Sequence, residues 1–233
     1  MEFSMKTAAR IAMLYEIANS IGNELELQAM LDIFLEKVIS KTGCTVGAIR
    51  LLDEVLRDNG EPNMFVLVSV IHYDRRKILN KMIKGNHFLM TKCLDNQQPI
   101  VFNKIGSELV DEVLINPTGK EKSILMLPIG TLGIFRICSG KEGFFDEAIV
   151  NILATLMPRL EKAINSCLLY EERGRLLQEL EQQKNNAIAA SNFKTQILAN
   201  TTHELKTPLN VIINFTRQLQ EELPQINSVK EKN

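Results

Sequence analysis

No apolar run in the 233 residues approaches the roughly 20 needed to cross a bilayer. Met1 to Arg10 has no charged-then-apolar layout of a secretory signal either, so the expected location is cytoplasmic. The four cysteines, Cys44, Cys93, Cys138 and Cys167, are scattered, and none belongs to a C-x-x-C pair. That spacing suggests neither a zinc site nor a disulfide framework, and buried reduced thiols are expected instead. Charge of one sign is also lacking: the formal net charge is -1, which gives no basic face for nucleic acid. No Gly-rich phosphate loop occurs anywhere. What is present is ordinary for a globular chain, with 45% hydrophobic and 24% charged residues.

The first segment has helical periodicity, with Ile11, Leu14, Tyr15, Ala18 and Ile21 on one face and Gly22-Asn23 as its stop. A second helix carries Leu27, Met30, Leu31, Phe34, Leu35 and Val38 on its apolar face and closes at Gly43. Strand character follows. Thr45 to Leu52 and Met64 to Tyr73 flank a polar turn containing Asp58-Asn59-Gly60, which predicts a hairpin. Asn86 caps a predicted short helix from His87 to Leu94, broken by Gln97-Gln98-Pro99. Pro99 to Phe102 predicts a strand, and Asn103 to Lys122 reads as loop-rich. Ser123 to Ile129 and Leu132 to Cys138 predict a second hairpin about Gly130-Thr131. No strand signal occurs after Ser139, and the chain is helical from Asp146 onward. The fold class is therefore α+β, followed by a long helix.

That helix shows two apolar seams at alternating four- and three-residue steps. One is Ile149, Leu153, Leu156, Leu160, Ala163, Cys167 and Tyr170; the other is Leu198, Thr202, Leu205, Leu209, Ile212, Thr216, Leu219 and Leu223. Such a repeat of about 3.5 residues marks helices that supercoil in a bundle. Between the seams, a register through Leu177, Glu181, Lys184, Ile188 and Ser191 competes with one through Leu176, Leu180, Gln183, Ala187 and Ala190. Pro158 is expected to kink or restart the helix. A helix this polar is marginal alone, and the simplest partner is a second copy in a parallel homodimer.

The segment from Phe193 to Asn210, with its His203-Glu204-Leu205-Lys206-Thr207-Pro208-Leu209-Asn210 core, closely resembles the H-box of sensor histidine kinases. The resemblance implies that His203 receives the γ-phosphoryl group of ATP and passes it to a response regulator. It also implies that Glu204 hydrogen-bonds one ring nitrogen, and that Thr207 helps place the water that dephosphorylates the partner. The residue types suit those roles. A neutral imidazole is nucleophilic near neutral pH. His203 lies one position beyond Thr202, on the rim of the seam, and Thr207 is one turn further on the same face. Pro208 denies the Glu204 carbonyl its helical hydrogen bond and predicts a bend. Lys206 reads as a solvated basic residue.

More loosely, residues 5 to 170 resemble a GAF domain: two helices, a hairpin, a helix leading into Gln97-Gln98-Pro99-Ile100-Val101, a late hairpin and an exit helix. This implies a central antiparallel sheet flanked by helices. The implied organisation is a sensory domain over 1–165, a coiled-coil linker over 166–191, and a first dimerisation helix over 192–233. The GAF ligand is unknown. Cys93 is followed by Leu94 and no Cys-His pair exists, which disfavours a covalent bilin. His72 and His87 are the available haem ligands, though each reads as a strand or cap residue, and a cyclic nucleotide or no ligand at all stays open. No cofactor is evident. ATP and magnesium are expected only with an ATP-binding domain, which the chain is expected to meet in trans or lack through truncation. The chain alone is then expected to be inactive. The alternatives are a non-catalytic GAF dimer and a stand-alone phosphohistidine carrier.

Overall fold

The computed structural model describes the backbone of residues 2–57, 64–71, 88–105 and 121–230, with side chains from 8 and as far as 218. The elements are α1 (Glu2–Ala18), α2 (Leu27–Thr42), β1 (Val46–Leu52), α3 (Asp53–Leu56), β2 (Phe65–Ile71), α4 (Phe88–Asn96), β3 (Ile100–Phe102), β4 (Ser123–Ile129), β5 (Gly133–Ser139) and α5 (Glu147–Lys230). Two compact units result, Met1–Arg173 and Gly174–Asn233.

In the first unit the strands form one antiparallel sheet in the order β2-β1-β5-β4-β3. The expected central antiparallel sheet is present. β1 and β2 pair as predicted, but the connection opens with the short helix α3, which the sequence reading passed over. The Asp58–Gly60 turn, Tyr73, His72, Asn86 and His87 lie outside the described residues, as do 106–120 of the expected loop. The late hairpin closes at Ile129↔Gly133 about a positive-φ Gly130. At Gly133 an added Cβ would collide with the carbonyl oxygen of Arg50 and sit 2.7 Å from the Leu51 Cα. Glycine there lets β5 lie against β1.

Period-two alternation divides the sheet's side chains into two layers. One layer holds Ile49, Leu51, Leu125, Leu127, Phe135 and Ile137, and packs against α1, α2 and the start of α5. The other holds Val46, Leu52, Phe65, Ile124, Met126, Ile134 and Cys138, and packs against Met90 and Cys93 of α4.

The helices use their sequence patterns unequally. On α2 the six predicted apolar residues are all buried, and Gly43 ends the helix at φ 72°, its N–H donating to the Ile39 carbonyl (2.8 Å). The predicted face of the first segment is used in part: Ile21, just past the end of α1, is buried and Leu14 and Ala18 pack against the core, whereas Ile11 and Tyr15 are exposed and Ile17, outside the predicted set, is buried. Helix α1 stops at Ala18, four residues before Gly22. Helix α4 begins at Phe88 and ends at Asn96, and the next residue, Gln97, takes φ 51° while its side-chain amide donates to the carbonyls of Leu94 (2.7 Å) and Gly130 (2.8 Å). Asp146 caps α5, accepting from the Ile149 N–H (2.8 Å) and pairing with Arg10 (2.7 Å).

The first seam of α5 is not a contact between helices of different chains. Leu153, Leu156, Leu160, Ala163 and Cys167, with Met157 and Ile164, are buried in the same cluster as Ile17, Leu31 and Phe34. Tyr170, the last seam residue, is exposed. Pro158 does not restart the helix, which runs unbroken from Glu147 to Lys230. The proline removes one hydrogen bond, and its neighbours Met157 and Leu160 are anchored in the core.

Candidate phosphoacceptor site

The second unit is α5 from Gly174 onward. Every side chain described there is exposed. His203 and Glu204 are adjacent on the helix, and neither makes a side-chain hydrogen bond or ion pair among the described residues. The imidazole is therefore accessible to an incoming phosphoryl donor. Thr207 lies one turn on, as the spacing requires, and its hydroxyl donates to the His203 carbonyl (3.2 Å). To hold a water it would have to leave that bond for another rotamer. Thr202 and Thr201 likewise donate to the carbonyls of Leu198 (2.7 Å) and Ile197 (2.8 Å). Helix α5 continues through Pro208, whose missing N–H leaves the Glu204 carbonyl without its helical donor.

Around this site lie Leu198, Leu205, Leu209 and Ile212, members of the second seam. Each is more than half exposed, so nothing among the described residues covers the stripe. The side chains of Leu219 and Leu223 lie outside the described residues. The competing linker registers, through Leu176, Leu177, Leu180 and Ile188, are similarly exposed.

All four cysteines are free and buried. Burial raises every thiol, Cys93 to about 12 and Cys44 to about 11. The native thiols should consequently resist iodoacetamide at pH 8, whereas unfolding should release four reactive groups, as counted by mass spectrometry. The unfolded thiols ionise first, near pH 8.5. Their contribution to stability is thus complete below that pH and is lost as pH rises toward 11–12. Among the described residues no cluster of His, Cys, Asp or Glu could hold a metal, and no helix is long and apolar enough to cross a membrane.

Two charged residues escaped the sequence reading. Arg50 and Arg136 sit within β1 and β5 and are 2% and 5% exposed. A single arginine inside an otherwise apolar strand was the available signal, and its meaning depends on which sheet face it takes. Burying an ion without a partner costs roughly several kcal/mol. Burial, reinforced by the like charge of Arg136, holds Arg50 well below the ordinary guanidinium range.

Comparison with known proteins agrees with this division. The family model for the GAF domain matches residues 24–165, and that for the His Kinase A (phospho-acceptor) domain matches residues 193–232. Sensor protein GacS of Pseudomonas syringae pv. syringae is 48% identical over 42 residues, 18% of this chain and 5% of that protein. Sensor histidine kinase GacS of Pseudomonas protegens matches to the same extent, so the matched part spans only a small fraction of either relative. Among solved structures, the GAF domain of a phosphoenolpyruvate-protein phosphotransferase from Coxiella burnetii superposes with a TM-score of 0.59 at 17% identity, covering 71% of this chain and 98% of that one. The free methionine-R-sulfoxide reductase of Neisseria meningitidis gives 0.55 at 17% identity, over 70% and 92%. At these identities the likeness is one of fold. The sheet, its two helical layers and the exposed histidine segment together make this chain a member of the GAF domain family that carries a histidine kinase phospho-acceptor segment on its last helix.

Proposed function

We propose that the chain is the sensory and phosphoacceptor portion of a two-component sensor histidine kinase. The GAF unit takes the input, and His203 accepts the γ-phosphoryl group of ATP for transfer to a response-regulator aspartate. The observation that carries this reading is an unobstructed His203 with Glu204 beside it, within the segment matched by the phospho-acceptor model.

In the first step the unprotonated ring nitrogen of His203 attacks the γ-phosphorus. A P–N bond forms as the bond to the β,γ-bridging oxygen breaks, and ADP leaves. The imidazole becomes cationic, and the Glu204 carboxylate stabilises it by accepting a hydrogen bond from its remaining N–H. In the second step a carboxylate oxygen of the response regulator attacks phosphorus and the P–N bond breaks, returning neutral histidine. Positioning and charge stabilisation of the transferred group come from an ATP-binding domain with magnesium. The exposed stripe of Leu198, Leu205, Leu209 and Ile212 supports pairing with a second copy, which would bury it.

The test uses this chain extended through a second bundle helix, mixed with a histidine kinase ATP-binding domain and γ-labelled ATP. The expected product is a protein adduct that is stable to alkali and labile to acid, mapped by proteolysis to the peptide containing His203. Labelling elsewhere, or an acid-stable adduct, contradicts the proposal.

A further inference from the structure

Strand β3 pairs with β4 only across Ile124, Leu125 and Met126, so the last residues of β4, from Leu127 to Ile129, have no neighbouring strand on that edge. A cleft of about 230 Å³ lies there, between the β4–β5 turn and α5. Leu127 and Met157, which line it, belong to the core layer on the α5 side of the sheet. The connection from α4 into β3 brings Gln97 and Pro99 to the rim, where the Gln97 amide donates to the Gly130 carbonyl (2.8 Å). Helix α5 closes the cleft with Ala154, Pro158 and Glu161, which recur at three- and four-residue steps on one face.

The polar groups of this cleft are acceptors. Pro158 has no N–H, so the Ala154 carbonyl lacks its helical donor, and both ends of that missing bond line the cleft. Glu161 is half-buried and makes no side-chain hydrogen bond or ion pair among the described residues. Its carboxylate lies over Gly130, where an added Cβ would collide with it. Gln97 commits its amide nitrogen to the carbonyls of Leu94 and Gly130, which leaves its amide oxygen free to accept. No lysine, arginine or histidine is among the residues that line the cleft. An exposed proline inside a helix is costly compared with alanine, and an unpaired carboxylate against a glycine adds no packing. Acceptors at one end of a cleft with apolar walls match a ligand whose polar end only donates. A primary ammonium group, with three N–H donors and no acceptor, is such an end.

We propose that this cleft binds a small primary amine in its ammonium form, carried on a short apolar body. The Glu161 carboxylate and the Ala154 carbonyl accept from the ammonium group, with the Gln97 amide oxygen at the rim. Leu127, Pro128 and Met157 contact the apolar body. A bound amine would bridge the β4–β5 turn and α5, the helix that continues to His203. Its role as an input rests on the sensory reading given for the GAF unit, whereas binding itself does not depend on phosphoryl chemistry.

The experiment follows the Met157 methyl resonance of the full chain, isotope-labelled at its methionine methyls, during titration with n-butylammonium chloride against sodium chloride at equal ionic strength. The expected result is a saturating shift with a Kd of about 10 mM or below. 1-Butanol has the same apolar body without the charge and should bind at least about tenfold more weakly. Glu161→Gln should raise the Kd for n-butylammonium by about tenfold or more, because a charge-assisted hydrogen bond becomes a neutral one. Pro158→Ala should raise it about 2–10-fold, because the new N–H occupies the Ala154 carbonyl. The same variant should unfold at a higher temperature than wild type, which reports that the helical bond has formed. The wild-type titrations with amine and alcohol stand whether or not the variants fold. A shift that fails to saturate by about 100 mM overturns the site. So do equal affinities for n-butylammonium and 1-butanol, and a Kd unchanged in either variant.

Discussion

Replacing His203 by glutamine should eliminate phosphoryl labelling of this chain by a histidine kinase ATP-binding domain supplied in trans. Glutamine is polar and helix-compatible, but its amide nitrogen lacks the basic lone pair that attacks phosphorus. His203 is exposed and makes no side-chain hydrogen bond among the described residues, so the substitution removes no packing. The unfolding midpoint of the GAF unit should therefore be unchanged, separating lost chemistry from lost structure. Glu204→Ala should retain labelling at a rate reduced by about 10²-fold, the usual scale of a lost acid–base partner. Thr207→Ala should leave the forward rate near that of wild type and slow loss of phosphate from the response regulator. Full labelling of the His203→Gln chain would show that another residue is the acceptor.

Leu160→Ala should destabilise the GAF unit by about 2–5 kcal/mol, the range for emptying a closed core site of a leucine side chain. For a unit of this size that corresponds to a midpoint lower by roughly 5–15 °C. Leu160 is fully buried among residues of α1, α2 and the sheet. Leu205→Ala is the control, since Leu205 belongs to the same helix and a similar heptad pattern but is 65% exposed. It should leave the GAF midpoint alone and weaken self-association in sedimentation. The two substitutions distinguish a domain core from a helix-pairing seam. If Leu160→Ala altered only association, the first part of α5 would be a bundle helix rather than a core helix.

Much of the fold is legible without coordinates because its signals are local. The six apolar positions of α2 recur at helical spacing and end at a glycine that adopts a left-handed conformation. The β4–β5 hairpin announces itself through two apolar runs about Gly130. The phosphoacceptor segment is legible for another reason. The residues proposed to carry its chemistry are contiguous on a single helix, so sequence spacing alone puts His203 and Thr207 on one face.

Local pattern misleads where the covering partner is distant in sequence. Helical periods of 3.5 and 3.6 residues are hard to separate over a few turns, so a core stripe and a coiled-coil seam look alike. The stripe at Leu153, Leu156 and Leu160 became core because α1 and α2, more than a hundred residues earlier, cover it. The stripe at Leu205 and Leu209 stayed exposed. The partial use of the α1 face has the same origin, since neighbouring elements cover Ile17 and Ile21, and partly Leu14 and Ala18, but not Ile11 and Tyr15.

Sequence by itself determined the element types other than α3, the α2 and hairpin boundaries, and the identity and helical spacing of His203, Glu204 and Thr207, because backbone propensity and short-range geometry govern them. Only the tertiary structure decided which apolar stripe is interior and that Arg50 and Arg136 share one buried face. Both depend on strand register and on contacts between residues far apart in the chain, and no local pattern encodes either.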